Sequence, residues 1–274
     1  MSRAGSGEPT LLALGERPPL RGAEVLEVRV RDSKLSERVA VALAADITAE
    51  RLAVGEPFPS AEEIVDRFGV SRTVAREALQ TLSASGLIRV HHGRRTEVTV
   101  PEEWNVFSSV VQRALWHGSR ALPLMREQRQ FLLLIEPFAA ARVAERREPA
   151  SIELISRLAD QTVLLVEAEA PISQIVRCDY SFHCAIASAS GNRVIGTAVR
   201  AVESMVDTLW ATHYARYSHD ELMLLAGHHV TIAGSIAAGD VEGASQAMND
   251  HITVGTELVL RISGQVSRAE QLRD

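Results

Sequence analysis

Asp179 and His183 stand four residues apart in Cys178-Asp179-Tyr180-Ser181-Phe182-His183. That spacing stacks two side chains on one helix face, a turn apart. A carboxylate and an imidazole so placed can hold one ion together. His229 and His251 lie 11 residues to either side of Asp240. If Gly239-Asp240 is the corner of a helical hairpin, both rings reach nearly equal height on facing helices. Gly239 suits a left-handed helix stop and Asp240 the following N-cap. Asp179, His183, His229 and His251 then make a donor set for Zn²⁺, Ni²⁺ or Mn²⁺, with water or a ligand carboxylate completing the shell. His228 adjoins this set, and the symmetry of the hairpin selects His229 instead. Spacing alone also fits histidines that sit satisfied in a bundle core.

A second constellation is cationic. Arg72 and Arg76 share a face of a helix that Ser71 can cap. Like charges at this spacing cost a few tenths of a kcal/mol in an isolated helix. The cost makes sense if the face meets phosphates or guanine edges, which take arginine in a bidentate fork. A solvated arginine face is the alternative.

The elements that must carry these residues can be read from periodicity. Leu35, Val39, Leu43, Ile47 and Leu52 recur at helical spacing from Lys34 to Leu52, and Gly55-Glu56-Pro57-Phe58-Pro59 breaks the helix. Ser60 caps a second helix to Phe68, where Gly69 stops it. Ser71 caps a third to about Ala84, with Val70, Val74, Ala78, Leu79 and Leu82 facing inward. Strands are expected over Leu87–His91 and Thr96–Val100, joined by His92-Gly93-Arg94-Arg95. After Pro101 only helical patterns remain: 104–117, 123–147, 151–169, 172–190, 192–217, 218–238 and 241–266. The stripe Phe131, Leu134, Ile135 and Phe138 reads as core. The order helix, helix, tight turn, helix and two-stranded wing is that of a winged helix-turn-helix. The fold class is therefore mainly α: a winged helix-turn-helix ahead of an antiparallel helical bundle. The expected divisions are a flexible tail over 1–30, the DNA-binding domain over 31–100 and a connector over 101–120. A helical bundle then spans 121–266, before a C-terminal tail over 267–274.

The chain has 274 residues, 29 basic and 35 acidic, for a net charge of −6. As one body this argues against a coat for nucleic acid or anionic membrane. Split, the deficit belongs to the helical part, since residues 31–100 carry 10 basic and 10 acidic side chains. Cys178 and Cys184 are too few for a disulfide framework or a cysteine-rich zinc module. No apolar run approaches the roughly 18–20 residues of a membrane span, and the N-terminus lacks a signal-peptide core, so the expectation is a cytoplasmic protein with no membrane partner.

Residues 34–100 resemble the GntR family of bacterial transcription regulators. The resemblance rests on Gly55-Glu56-Pro57-Phe58-Pro59-Ser60, on Gly69-Val70-Ser71-Arg72-Thr73 through Arg76-Glu77-Ala78-Leu79, and on Leu82 and Gly86-Leu87-Ile88. It implies that Ser71, Arg72, Thr73 and Arg76 contact DNA, with His92, Gly93 and Arg94 at the wing tip. Two departures stand out. Ala61-Glu62-Glu63 occupies the start of the second helix, where many members carry an arginine. Gly93-Arg94-Arg95 replaces the usual wing Gly-Arg-Gly.

Residues 120–255 resemble the FadR-type C-terminal domain (FCD) of the same regulators, an antiparallel bundle of about six or seven helices. The resemblance rests on Asp179 to His183, Ser190-Gly191-Asn192, His229 to Asp240 and Met248 to His251. It implies a divalent transition metal on Asp179, His183, His229 and His251, and a small organic acid as effector. Arg129, Arg142, Asn192 and Arg200 are the candidate effector contacts, with Arg126 a further substitute. Ile135-Glu136-Pro137 resembles regulators of hexonate catabolism, but Leu132 stands where an arginine is common.

The reading is a ligand-responsive regulator, not an enzyme. It binds a pseudo-palindromic double-stranded DNA operator as a homodimer, with repression relieved by ligand the commoner mode in the resembling group. Two other classes stay open. One is a metal-dependent hydrolase or lyase, for which Glu203 is a conceivable base. The other is a dedicated metal sensor.

Overall fold

A computed structural model describes residues 35–91, 95–116, 121–204 and 214–262. The chain divides into two compact units, Met1–Asn105 and Val106–Asp274.

In the first unit α1 (Leu35–Thr48) buries Val39, Leu43, Ala44 and Ile47. It ends before the expected Leu52, because Glu50 takes a left-handed φ of 57° and the amides of Arg51 and Leu52 turn back to the Asp46 carbonyl. The buried Asp46 carboxylate pairs with Arg51 and Arg67, each at 2.7 Å, and so ties the end of α1 to α2 (Ala61–Phe68). A Ser60–Glu63 capping box opens α2 and Gly69, at φ 63°, closes it. Ser71 caps α3 (Arg72–Ala84), its hydroxyl accepting from the Val74 amide. The buried face of α3 is Ala75, Ala78 and Leu82, whereas Val70, Val74 and Leu79 are only half-buried.

Strands β1 (Ile88–Arg89) and β2 (Glu97–Val98) pair antiparallel and are shorter than the sequence suggests. Glu56–Phe58, read as a pure breaker, runs along the other edge of β2. The Phe58 amide donates to the Thr96 carbonyl (2.7 Å) and the Val98 amide to the Glu56 carbonyl (3.2 Å). The helix expected from Trp104 is also corrected. Pro101 seeds a 3₁₀ turn, Pro101–Glu103, Trp104 is extended, and α4 starts only at Ser109 and runs to Trp116.

The second unit continues with α5 (Ala121–Arg146), α6 (Pro149–Glu167), α7 (Ile172–Ala189), α8 (Arg193–Glu203), α9 (His219–Ala238) and α10 (Val241–Ile262). Helix α5 packs on α10, α6 on α9 and α7, α9 on α10, and α7 on α8. The core between them includes Val143, Ile155, Phe182, Ile186, Val199, Ile232, Met248 and Ile252. The apolar stripe on α5 splits: Phe131 and Ile135 lean on this core, but Leu134 is 76% exposed and Phe138 51% exposed. Leu132, Ala139, Ala140 and Val143 fill the inner face of α5 and leave that pair on the outer one. No described helix is long and apolar enough to cross a membrane.

Candidate metal centre and DNA-facing helix

Asp179 and His183 project from successive turns of α7. Opposite them, His229 projects from α9 and His251 from α10. The corner between those two helices is the one the residue types suggest. Gly239 is left-handed at φ 74°, and the Asp240 side chain accepts from the Gly243 amide at 2.9 Å. One donor atom from each of the four residues falls within a span of 4.8 Å, and all four residues are buried.

The polar contacts orient these donors. Tyr214 donates its hydroxyl to Asp179 Oδ2 at 3.1 Å. That leaves Oδ1 at 3.3 Å from His229 Nε2 and 3.9 Å from His183 Nε2. Glu136, 1% exposed on α5, accepts from His183 Nδ1 at 2.5 Å. Glu136 keeps a proton on Nδ1, so a metal that displaces the Nε2 proton meets Nε2 as the lone-pair nitrogen, the tautomer a ligand requires. His183 Nε2 lies 3.2 Å from His251 Nε2. His229 stacks on Phe182 at 4.1 Å, and both of its buried ring nitrogens lack an aligned hydrogen bond among the described residues. Three imidazoles and a carboxylate, converging with unsatisfied nitrogens, fit a divalent cation of the zinc, nickel or manganese kind.

Burial works against charge on His183, but the Glu136 carboxylate, with Asp179 and Glu203 beyond it, outweighs this and lifts the ring to about 10. Burial lowers His229 and drives His251 well below its ordinary value, helped by the neighbouring rings. Burial would raise Asp179, yet His229 and His183 hold its carboxyl below the usual range. Burial pushes Glu203 up to about 7.

A small cavity opens beside Asp179, His183 and His251, lined also by Arg129, Glu203, Tyr214, Tyr217, Leu225 and Gly255. Of the candidate effector contacts, the structure brings only Arg129 here. Arg142 pairs along α5 with Glu145. Asn192 caps α8, accepting from the Val194 and Ile195 amides. Arg200 donates to Ser188 and Thr197, and Arg126 is exposed. Leu132 is buried in the apolar core. Spacing did not single out Glu136, Tyr214 and Tyr217, and named Glu203 only as a conceivable base. The signal for Glu203 was its place after Ile195 and Val199 on the buried face of α8.

In the first unit Ser71, Arg72, Thr73 and Arg76 are exposed at the start of α3, as is Glu62 on α2. His92, Gly93 and Arg94 lie outside the described residues.

Residues 35–98 match the bacterial regulatory proteins of the gntR family, and residues 127–254 match the FCD domain. The chain belongs to the GntR family. It is a transcription regulator with an FCD ligand-binding domain, in keeping with the FadR-type branch. Among its relatives is the HTH-type transcriptional repressor NanR of Cronobacter sakazakii, 27% identical over 88% of this chain and 86% of that protein. The HTH-type transcriptional regulator LutR of Bacillus subtilis is 29% identical over 73% of this chain and 89% of that one. These are regulators and not enzymes, which decides the class of this GntR chain against a hydrolase or lyase. The solved structure of Lar from Listeria monocytogenes shares the fold, with a TM-score of 0.61 at 15% identity, covering 85% of this chain and 99% of that one.

Proposed function

We propose that this GntR regulator is a cytoplasmic, dimeric repressor that binds a pseudo-palindromic operator and responds to a small organic acid held at a divalent metal. Ser71, Arg72, Thr73 and Arg76, with His92, Gly93 and Arg94 of the wing, make the DNA contacts. Asp179, His183, His229 and His251 hold the metal. Supplied there, a divalent ion gives the positive charge that anchors an effector carboxylate. Arg129 offers the second anchor from α5, whereas Asn192 caps α8, Arg142 pairs with Glu145 and Arg200 bonds Ser188 and Thr197, outside the cavity lining. Leu134 and Phe138 offer apolar surface for one copy to bury against another. The observation that carries the reading is the convergence of four buried donor residues within 4.8 Å beside a cavity that also holds Arg129.

A thermal-shift panel tests it. Chelated and zinc-loaded protein is heated with glycolate, lactate, gluconate or galactonate. Stabilisation by an acid only in the loaded protein is the expected result. Loss of operator binding on adding zinc alone points to a metal sensor. Stabilisation by acids in the chelated protein removes the metal from the reading.

A further inference from the structure

We propose that Glu203 is the specificity-determining residue of the cavity and selects acids that carry a hydroxyl beside the carboxylate. The inference rests on the effector reading above and goes a step further. Glu203 ends α8 with 3% of its surface exposed and lines the same cavity as Arg129 and the candidate metal ligands. It stands outside the four-donor set.

The other buried acids have partners. Asp46 has Arg51 and Arg67, Glu136 has His183, and Asp179 has Tyr214. Glu203 has no hydrogen bond or ion pair to any described residue. His183 and Arg129 are the opposite charges that act on Glu203, and at the cavity wall its carboxyl is left to take a hydrogen-bond donor from what fills the cavity. A plain carboxylate is drawn to Arg129 and a divalent ion and leaves Glu203 unsatisfied. A hydroxyl on the neighbouring carbon donates to it. An ammonium would donate as well, but Arg129 and the ion repel a cation at that spot, so the hydroxyl is the better match. A site built to bond a hydroxyl rejects the analogue without one more strongly than an apolar pocket rejects a missing methylene.

Titration calorimetry on the zinc-loaded full chain compares pairs that differ by one hydroxyl: glycolate with acetate, lactate with propionate. Wild-type protein is expected to prefer the hydroxy acid by on the order of ten- to a hundred-fold. Glu203→Leu brings that ratio close to one while zinc stoichiometry stays unchanged, and Glu203→Gln, which keeps an acceptor of the same size, retains most of it. Equal affinities in the wild type, or a ratio that survives in Glu203→Leu, overturn the inference and leave the effector reading standing. Tighter binding of alanine than of lactate overturns the hydroxyl assignment. If no acid binds the loaded protein, the effector reading falls and this inference with it.

Discussion

Glu136 shows how far a single buried charge reaches. It comes from α5, 47 residues before His183, and its carboxylate fixes the imidazole tautomer that aims Nε2 at the other donors. Replacing it by glutamine keeps the shape and removes the charge. Glu136→Gln is therefore expected to weaken metal affinity about 10- to 100-fold, measured by competition with a chelator. The pair also leaves a mark on metal-free protein. His183 is raised from 6.5 to about 10, so the stability this pair contributes is fully present below about 6.5 and is lost as pH rises through about 10. In unfolding midpoints of chelated protein from pH 6 to 10, the wild type should lose its advantage over Glu136→Gln toward the alkaline end. A constant difference would separate His183 from Glu136. The i, i+4 spacing of Asp179 and His183 is legible in sequence because a helix turns local order into a shared face. Spacing did not mark Glu136 as a site residue and offered Glu203 only as a conceivable base, since what surrounds them is set by helix packing across long sequence separations.

At the scale of elements, the α9–α10 corner brings two of the histidines together. Gly239 has φ 74°, and a Cβ there would meet the Arg147 guanidinium at 1.7 Å. That guanidinium donates to the Ala238 carbonyl at 2.9 Å, a cation at a helix C-terminus. Gly239→Ala must accept left-handed backbone strain of about 1–2 kcal/mol and also displace Arg147. The thermal midpoint should fall by about 2–4 °C for each kcal/mol lost, with metal affinity falling too because the corner sets the relative heights of His229 and His251. An unchanged midpoint would mean that the corner relaxes freely. This corner could be read from Gly239-Asp240 because each residue type has a local reason to be there. The connector could not be read the same way. Trp104 to Ser108 looks helical by composition, but the turn seeded by Pro101 leaves Trp104 extended. On α5, periodicity marked an apolar stripe without saying which side of a long helix the rest of the bundle would cover.

For the whole molecule, the net charge of −6 gives no help in approaching DNA. Residues 31–100 are balanced at 10 basic and 10 acidic, and Glu62 lies exposed on the helix before the recognition segment. In the proposed dimer, operator affinity must then come from placed arginines, used twice, rather than from a general positive field. The salt dependence of binding makes this countable. Each phosphate neutralised contributes about −0.9 to the slope of log K against log salt. If Arg72 and Arg76 each meet a phosphate in both half-sites, the double variant Arg72→Ala, Arg76→Ala should make the slope shallower by about 3–4 and weaken all sequences alike. If they read guanine edges instead, affinity for the operator falls by roughly 1–3 kcal/mol per contact, specificity relaxes and the slope barely moves. Fluorescence anisotropy on operator and scrambled DNA from 50 to 200 mM salt separates the two modes, and normal operator binding by the double variant would remove α3 as the reading helix.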